Sequence, residues 1–225
     1  MMPVITISKE FASGGLEIAK RLAKKIDYDY LDKEIVKQVA DQAKVSHQEV
    51  MEFEEEGHIN VKAYLSRIID LDIFKKSHKQ DEIEEAETTY DDRDKIPYSL
   101  DTQGWIDSDI YREMICKVIS ELGQRPNVMI VGRGGQCILR DQSAVINIRI
   151  IASMADRIAR LQIEDSDLSD AQAQKIIEEK DKKSREYIKF YFKQDWNDQN
   201  LYDVVINTSR VSDDKAVEWL AALCS

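Results

Sequence analysis

A chain of 225 residues with 43% apolar content suits one domain, with or without a sizeable insertion, and is long enough to bury a real core. Its formal charge of -11, without any long Lys/Arg run, repels polyanions and argues against a nucleic-acid polymer as partner. Cys116, Cys137 and Cys224 are too scattered for a disulfide framework or zinc site, no leader-like segment opens the chain, and no apolar run approaches the ~20 residues of a membrane span, so a cytoplasmic protein away from membranes is expected.

Val4-Ile5-Thr6-Ile7 is short, β-branched and apolar, the pattern of a buried strand. After a polar turn and Gly14-Gly15, the residues Ile18, Leu22 and Ile26 recur at helical spacing. Tyr28 to Leu31 reads as a second strand ending at Asp32, and helical pattern resumes at Ile35. From 46 to 104 the character changes: between Glu52 and Asp101 fifteen acidic residues face seven basic ones, and strand patterns are missing. This stretch reads as an acidic helical insertion within a single domain of 1–225, and not as a second domain. His47, His58 and His78 are scattered through it, with no metal-ligand spacing.

Helical pattern returns from Ile106 to Leu122, followed by a strand at Asn127–Val131 that breaks at Gly132-Arg133-Gly134-Gly135. Val145–Ile151 is another strand, Met154–Ile163 a helix, and Ser169–Phe192 a long helix with Ser169 as its cap. A last strand at Tyr202–Asn207 and a closing helix at Asp213–Leu223 complete the chain. Strands alternating with helices predict an α/β fold, a parallel sheet of about five strands flanked by helices.

Ligands of such sheets bind beyond the carboxyl ends of the strands. Five of the eight glycines fall in two loops at such ends: Gly14 and Gly15, and Gly132, Gly134 and Gly135. In the first loop, Ser13-Gly14-Gly15 opens a helix, where exposed N–H groups and the helix dipole favour an anion. The alternative is a plain strand-to-helix turn. The standard phosphate loop, GxxxxGK followed by Ser or Thr, is not met. With Gly14 as its second glycine, Gly15 takes the lysine position, Leu16 the Ser/Thr position and Lys9 the first glycine position. Lys9 is then the nearest cation to stand in for the lysine. In the second loop, Arg133 offers a planar fork suited to phosphate. Arg157 and Arg160, at i and i+3, share a helix face. Asp181 and Arg185 form an acid-then-base i,i+4 pair, either a helix-stabilising ion pair or part of a cationic lid.

The run Val4 to Ala19, VITISKEFASGGLEIA, resembles the opening of the bacterial cytidylate-kinase-like proteins, typically ITISREFGSGGREIA. Tyr30-Leu31-Asp32-Lys33-Glu34-Ile35, Ile130 to Gly134, Asp181 with Arg185, Lys193 to Trp196 and Tyr202 to Thr208 resemble later segments of that family in order and spacing. The resemblance covers roughly 1–45 and 105–225. It implies a P-loop nucleoside-monophosphate-kinase fold and transfer of the ATP γ-phosphoryl to CMP or dCMP with Mg2+. It further implies donor phosphates on Ser13, Gly14 and Gly15, the donor base near Asn207 and Thr208, and the acceptor side at Asp32 and Arg133. Arg157 and Arg160 would belong to a lid within 153–200, with Asp181 and Arg185 nearby. Against true cytidylate kinases, Gly15 stands for the lysine and Gly134 for the Asp of a GRD run. A kinase of a small phosphorylated acceptor is therefore the leading expectation. A nucleotide- or phosphate-binding regulatory protein without catalysis is the rival, and an acidic interaction protein a third reading. The oligomeric state stays open.

Overall fold

The computed structural model describes residues 3–32, 35 and 108–224. The expected insertion at 46–104, with its histidines, lies outside the described residues. The chain divides into two units, Met1–Lys33 with Cys116–Ser225, and Glu34–Ile115. The first unit carries the sheet and both glycine loops, and the helix Ser108–Leu122 begins in the second.

The elements in order are β1 (Val4–Lys9), α1 (Gly15–Ile26), β2 (Asp29–Leu31), α2 (Ser108–Leu122), β3 (Val128–Val131), α3 (Gly135–Ile138), β4 (Val145–Ile151), α4 (Met154–Glu164), α5 (Asp170–Phe192), a 3-10 turn at Gln199–Leu201, β5 (Val204–Asn207) and α6 (Asp213–Leu223). The five strands are parallel in the order β2-β3-β1-β4-β5. The expected α/β architecture holds. The first strand runs two residues further than its apolar run, through Ser8 and Lys9, because Ser8 and Lys9 pair with Arg149 and Ile150 of β4.

Side chains alternate across a strand, so the register divides the sheet into two unlike faces. Ile5, Ile7, Met129, Val131, Ile148 and Ile150 point to one face and pack against Ile18 and Leu22 of α1 and Val217 and Leu220 of α6. On the other face Thr6 faces Asn147 and Ser8 faces Arg149, all four buried. The Thr6 hydroxyl donates to Asn147 Oδ1 at 2.6 Å. A buried hydroxyl or amide without a partner costs roughly 1–3 kcal/mol, so this second face needs its hydrogen bonds to exist at all.

The helix ends follow local chemistry. Ser153, Ser169 and Ser212 each accept from a backbone N–H in the first turn of α4, α5 and α6, and Ser169 with Gln172 completes a capping box. The expected boundary of α5 is met by its Ser169 cap. Helix α1 differs: its N-cap is Gly14, in the left-handed region at φ 78°, with no side chain capping it. Among the described residues, no helix is long and apolar enough to cross a membrane.

Candidate phosphate-binding site at the carboxyl end of the sheet

Strand β1 lies between β3 and β4, so the connections leaving β1 and β3 diverge at its carboxyl end, where open parallel sheets form a ligand crevice. Both glycine loops end there. Glu10 N–H donates to the Ile150 carbonyl at 3.0 Å and Gly132 N–H to the Ile7 carbonyl at 2.9 Å, tying each loop to a neighbouring strand.

The first loop, residues 10–14, is held from several sides. Phe11 N–H donates to Asp181 Oδ1 (2.9 Å), and the Phe11 carbonyl accepts from Arg157 Nε (2.7 Å). Arg157 Nη2 meets Asp181 Oδ2 at 2.5 Å, which closes a ring through the loop backbone. The Glu10 carboxylate accepts from Ala152 N–H (3.1 Å) and lies 3.5 Å from Arg157 Nη1. The Ser13 hydroxyl donates to the Glu10 carbonyl (2.8 Å), and the Ser13 carbonyl accepts from the Thr208 hydroxyl (2.8 Å). Phe11 and Ala12 pack against Leu161, Ala173 and Ile177 of α4 and α5. Ala12 is held at φ 58°, which a non-glycine residue adopts only when its surroundings insist.

What the bracing leaves open is the start of α1. The first bond inside the helix runs from Ile18 N–H to the Gly14 carbonyl (3.1 Å), so the N–H groups of Gly15, Leu16 and Glu17 have no acceptor within it. These amides, with the dipole of a twelve-residue helix behind them, fit an anionic phosphate. Gly14 is required by its backbone conformation, and its missing side chain leaves room for the end of Arg160. Its φ disfavours any side chain, and a Cβ there would lie 2.0 Å from Arg160 Nη1.

The expected site residues divide into groups. Lys9, Asp32 and Arg133 gather at the strand ends: Arg133 Nη1 donates to Asp32 Oδ1 at 3.2 Å, and both side chains are about four-fifths buried. Burial pulls the Lys9 ammonium below the usual lysine range, Asp32 opposes this, Arg133 adds to it, and Asp181 opposes it. Ser13, Gly14 and Gly15 form the loop itself, but the Ser13 hydroxyl is turned onto the Glu10 carbonyl. Arg157 and Asp181 are buried and committed to Phe11. Arg160 lies over Gly14 and grips Asp213, at the start of α6, with two bonds of 2.9 and 3.1 Å. The expected Asp181–Arg185 pair does not form, because the Asp181 carboxylate faces inward to Phe11 and Arg157 while Arg185 stays exposed. Thr208 braces the loop from below, and Asn207 Oδ1 accepts from Ser209 N–H in the turn after β5.

One cluster was not expected as a unit. Arg149 is buried, its guanidinium stacks 3.8 Å from the Trp196 ring centre, and it donates to Ser8 Oγ and to the Tyr202 hydroxyl (3.2 Å each) and to Asn197 Oδ1 (3.1 Å). Trp196 Nε1–H also donates to Ser8 Oγ at 2.9 Å. Burial pushes the Tyr202 phenol up, so it serves as a neutral partner. This cluster fastens the segment after α5 to the polar face directly beneath the loop. The sequence signal was the alternation Thr6/Ser8 and Asn147/Arg149: polar residues at every second position of two strands that otherwise read as core.

The aromatic end of α5 covers the second loop. Tyr187, Tyr191 and Phe192 form tilted and edge-on pairs with centroids 5.0–5.9 Å apart. A Cβ on Gly134 would lie 2.2 Å from the Phe192 ring. The ring thus takes the space that an Asp at this position would need.

Magnesium is less well served than phosphate. Leu16, exposed, offers no hydroxyl, and no group of three metal-ligating side chains gathers among the described residues.

No curated protein matches the sequence. Among solved structures, the chain is similar to an uncharacterized protein from Eubacterium ventriosum ATCC 27560, with TM-score 0.63, 18% identity and coverage of 99% of this chain and 98% of that one. It is also similar to shikimate kinase from Bacteroides thetaiotaomicron, with TM-score 0.49, 14% identity and coverage of 99% and 98%. A shikimate kinase from Acinetobacter baumannii in complex with shikimate gives TM-score 0.46, 12% identity and coverage of 99% and 93%. The model of the cytidylate kinase-like family matches residues 4–210, over the parallel sheet and both glycine loops, and the chain belongs to that family.

Proposed function

We propose that the protein is a small-molecule kinase that moves the terminal phosphoryl of ATP to a small phosphorylated acceptor, with a nucleoside monophosphate, CMP or dCMP by family, as the first acceptor to test. The observation that carries this reading is the braced loop at the end of β1, whose open amides face the strand ends where Lys9, Asp32 and Arg133 gather. The Gly14–Glu17 backbone would hold donor phosphate, and Arg133, steadied by Asp32, would hold the acceptor's anion. Arg157, Asp181 and Thr208 act one step back, as positioning residues that fix the loop. Preorganised donors of this kind supply much of the rate of phosphoryl transfer by orienting the reactants and stabilising charge. ATP supplies the phosphoryl group. Magnesium would ride on its phosphates, because Leu16 gives it no hydroxyl. Activity in the cytoplasm on a soluble metabolite is part of the same reading.

A second reading is favoured by one observation. Leu16, and the Phe192 ring over Gly134, replace polar groups expected of a working cytidylate site. A regulatory nucleotide-binding protein without turnover would have this composition. ADP release measured over the common nucleoside monophosphates, with ATP-dependent thermal stabilisation alongside, separates the two. Turnover with one acceptor supports the kinase. Stabilisation by ATP without any turnover supports the regulatory protein, and silence in both measurements sinks both.

A further inference from the structure

Resting on the kinase reading, we infer that Lys9 and Gly15 have exchanged the two roles that end a standard phosphate loop, so that the phosphate-binding lysine enters the site from β1 instead of from α1. The two positions share one space. A Cβ built on Gly15 would lie 2.8 Å from Lys9 Cβ, 3.3 Å from Lys9 Cδ and 3.2 Å from Ile150 Cβ. Real Cβ atoms do not sit at 2.8 Å from another side-chain root, so only one of positions 9 and 15 can carry a side chain without movement. In the standard order, glycine comes first and lysine last. Here lysine comes first and glycine last, and the stem of Lys9 runs through the volume that a lysine at 15 would use.

The surrounding charges point the same way. Arg157 is taken by Asp181 and Glu10, Arg149 by Ser8, Tyr202 and Asn197, and Arg160 by Asp213. Among the described residues Lys9 makes no hydrogen bond or ion pair; it only feels Asp32, Arg133 and Asp181 through space. Asp32 is paired with Arg133, and Asp181 with Arg157 and Phe11 N–H. A partly buried ammonium without its own counter-ion is costly unless an anion arrives to answer it. The Lys9 stem passes beside Gly15, whose N–H is one of the open amides at the start of α1.

The test uses the full chain in five forms: wild type, Lys9→Met, Lys9→Gly/Gly15→Lys, Gly15→Ala and Lys9→Gly/Gly15→Ala. With ATP and Mg2+, Lys9→Met is expected to lose roughly 10²–10³-fold in kcat/KM and to bind tripolyphosphate more weakly, while the exchanged double variant recovers much of the loss. Without nucleotide, Gly15→Ala is expected to lower the melting temperature, and Lys9→Gly in the same chain to restore it. This arm reads the shared space independently of activity, and Lys9→Met keeps the test decisive if the exchanged variant does not fold. An active wild type whose Lys9→Met variant keeps kcat/KM within about twofold overturns the exchange alone. So does a Gly15→Ala defect that Lys9→Gly leaves in place. A wild type that neither binds nor turns over ATP overturns the kinase reading and the exchange together.

Discussion

The two glycine loops sit side by side at the end of the same sheet and are built in opposite ways. The first is positioned by its neighbours: Asp181, Arg157, Thr208 and Ala152 all bind its backbone or its Glu10 carboxylate, and they come from α5, α4, the turn after β5 and the end of β4. The second has fewer outside ties, Gly132 N–H to the Ile7 carbonyl and the Tyr187 hydroxyl to the Arg133 carbonyl, and takes its turn from its own backbone. Gly132, Arg133 and Gly134 are three successive residues in the left-handed region, at φ 76°, 53° and 73°, and Gly135 N–H closes onto the Gly132 carbonyl at 3.0 Å. A loop held from outside keeps its shape when a ligand pulls on it. A loop held by its own dihedrals offers a side chain, here Arg133, from a fixed anchor. Under the proposed kinase reading, that division would suit a donor site needing rigid amides beside an acceptor site needing an aimed guanidinium.

The sharpest way to break the contrast is to remove the first loop's brace. Arg157→Ala leaves the Asp181 carboxylate buried without its cation, which should cost about 3–5 kcal/mol in denaturant unfolding. A loss under about 1 kcal/mol would mean the loop holds itself. In the second loop, Gly134→Ala combines a left-handed penalty with a collision against the Phe192 ring, and should cost about 2–4 kcal/mol. Adding Phe192→Leu should return part of that, and no recovery would assign the whole cost to the backbone. Gly14→Ala meets the movable end of Arg160 instead of a ring, so its stability cost should be nearer about 1–2 kcal/mol. Its main effect should be on ligand: ATP should no longer raise the melting temperature. Gly132→Ala, with open space around its Cβ, isolates the dihedral term at about 1 kcal/mol and should leave ATP binding intact.

The smallest effect concerns protons. Because burial lowers the Lys9 value in the folded chain, the unfolded chain binds its proton more tightly, and stability rises with pH across that alkaline window. Lys9→Met should therefore be more stable than wild type at neutral pH, with the gap closing as pH rises toward the ordinary lysine range. A constant gap across that range would remove the titration of Lys9 as its source.

The elements were legible in the sequence because each rests on local pattern: β-branched runs, helical spacing, and Ser caps such as Ser169. The glycine loops were legible because few residues other than glycine tolerate φ near +75°, and five of eight glycines fell at two strand ends. What the arginines do was not legible. Helical spacing rightly placed Arg157 and Arg160 near one another, yet one turns inward to Phe11, 146 residues earlier, and the other to Asp213. Asp181 read as the partner of Arg185 because i,i+4 spacing is visible and a contact with Phe11, 170 residues away, is not. Arg157 and Asp181, expected in or near a lid, and Thr208, expected near the donor base, all bind the loop backbone.

Helix α1 begins on an uncapped glycine, whereas α4, α5 and α6 begin on serines. An anion at Gly15–Glu17 would act as the absent cap, so occupancy would finish a piece of secondary structure. Amide hydrogens of that first turn should then exchange with solvent quickly in the free protein and slowly in the occupied one. The fraying of α1 would follow the supply of its ligand, making the helix a passive gauge of how much phosphate donor surrounds the protein.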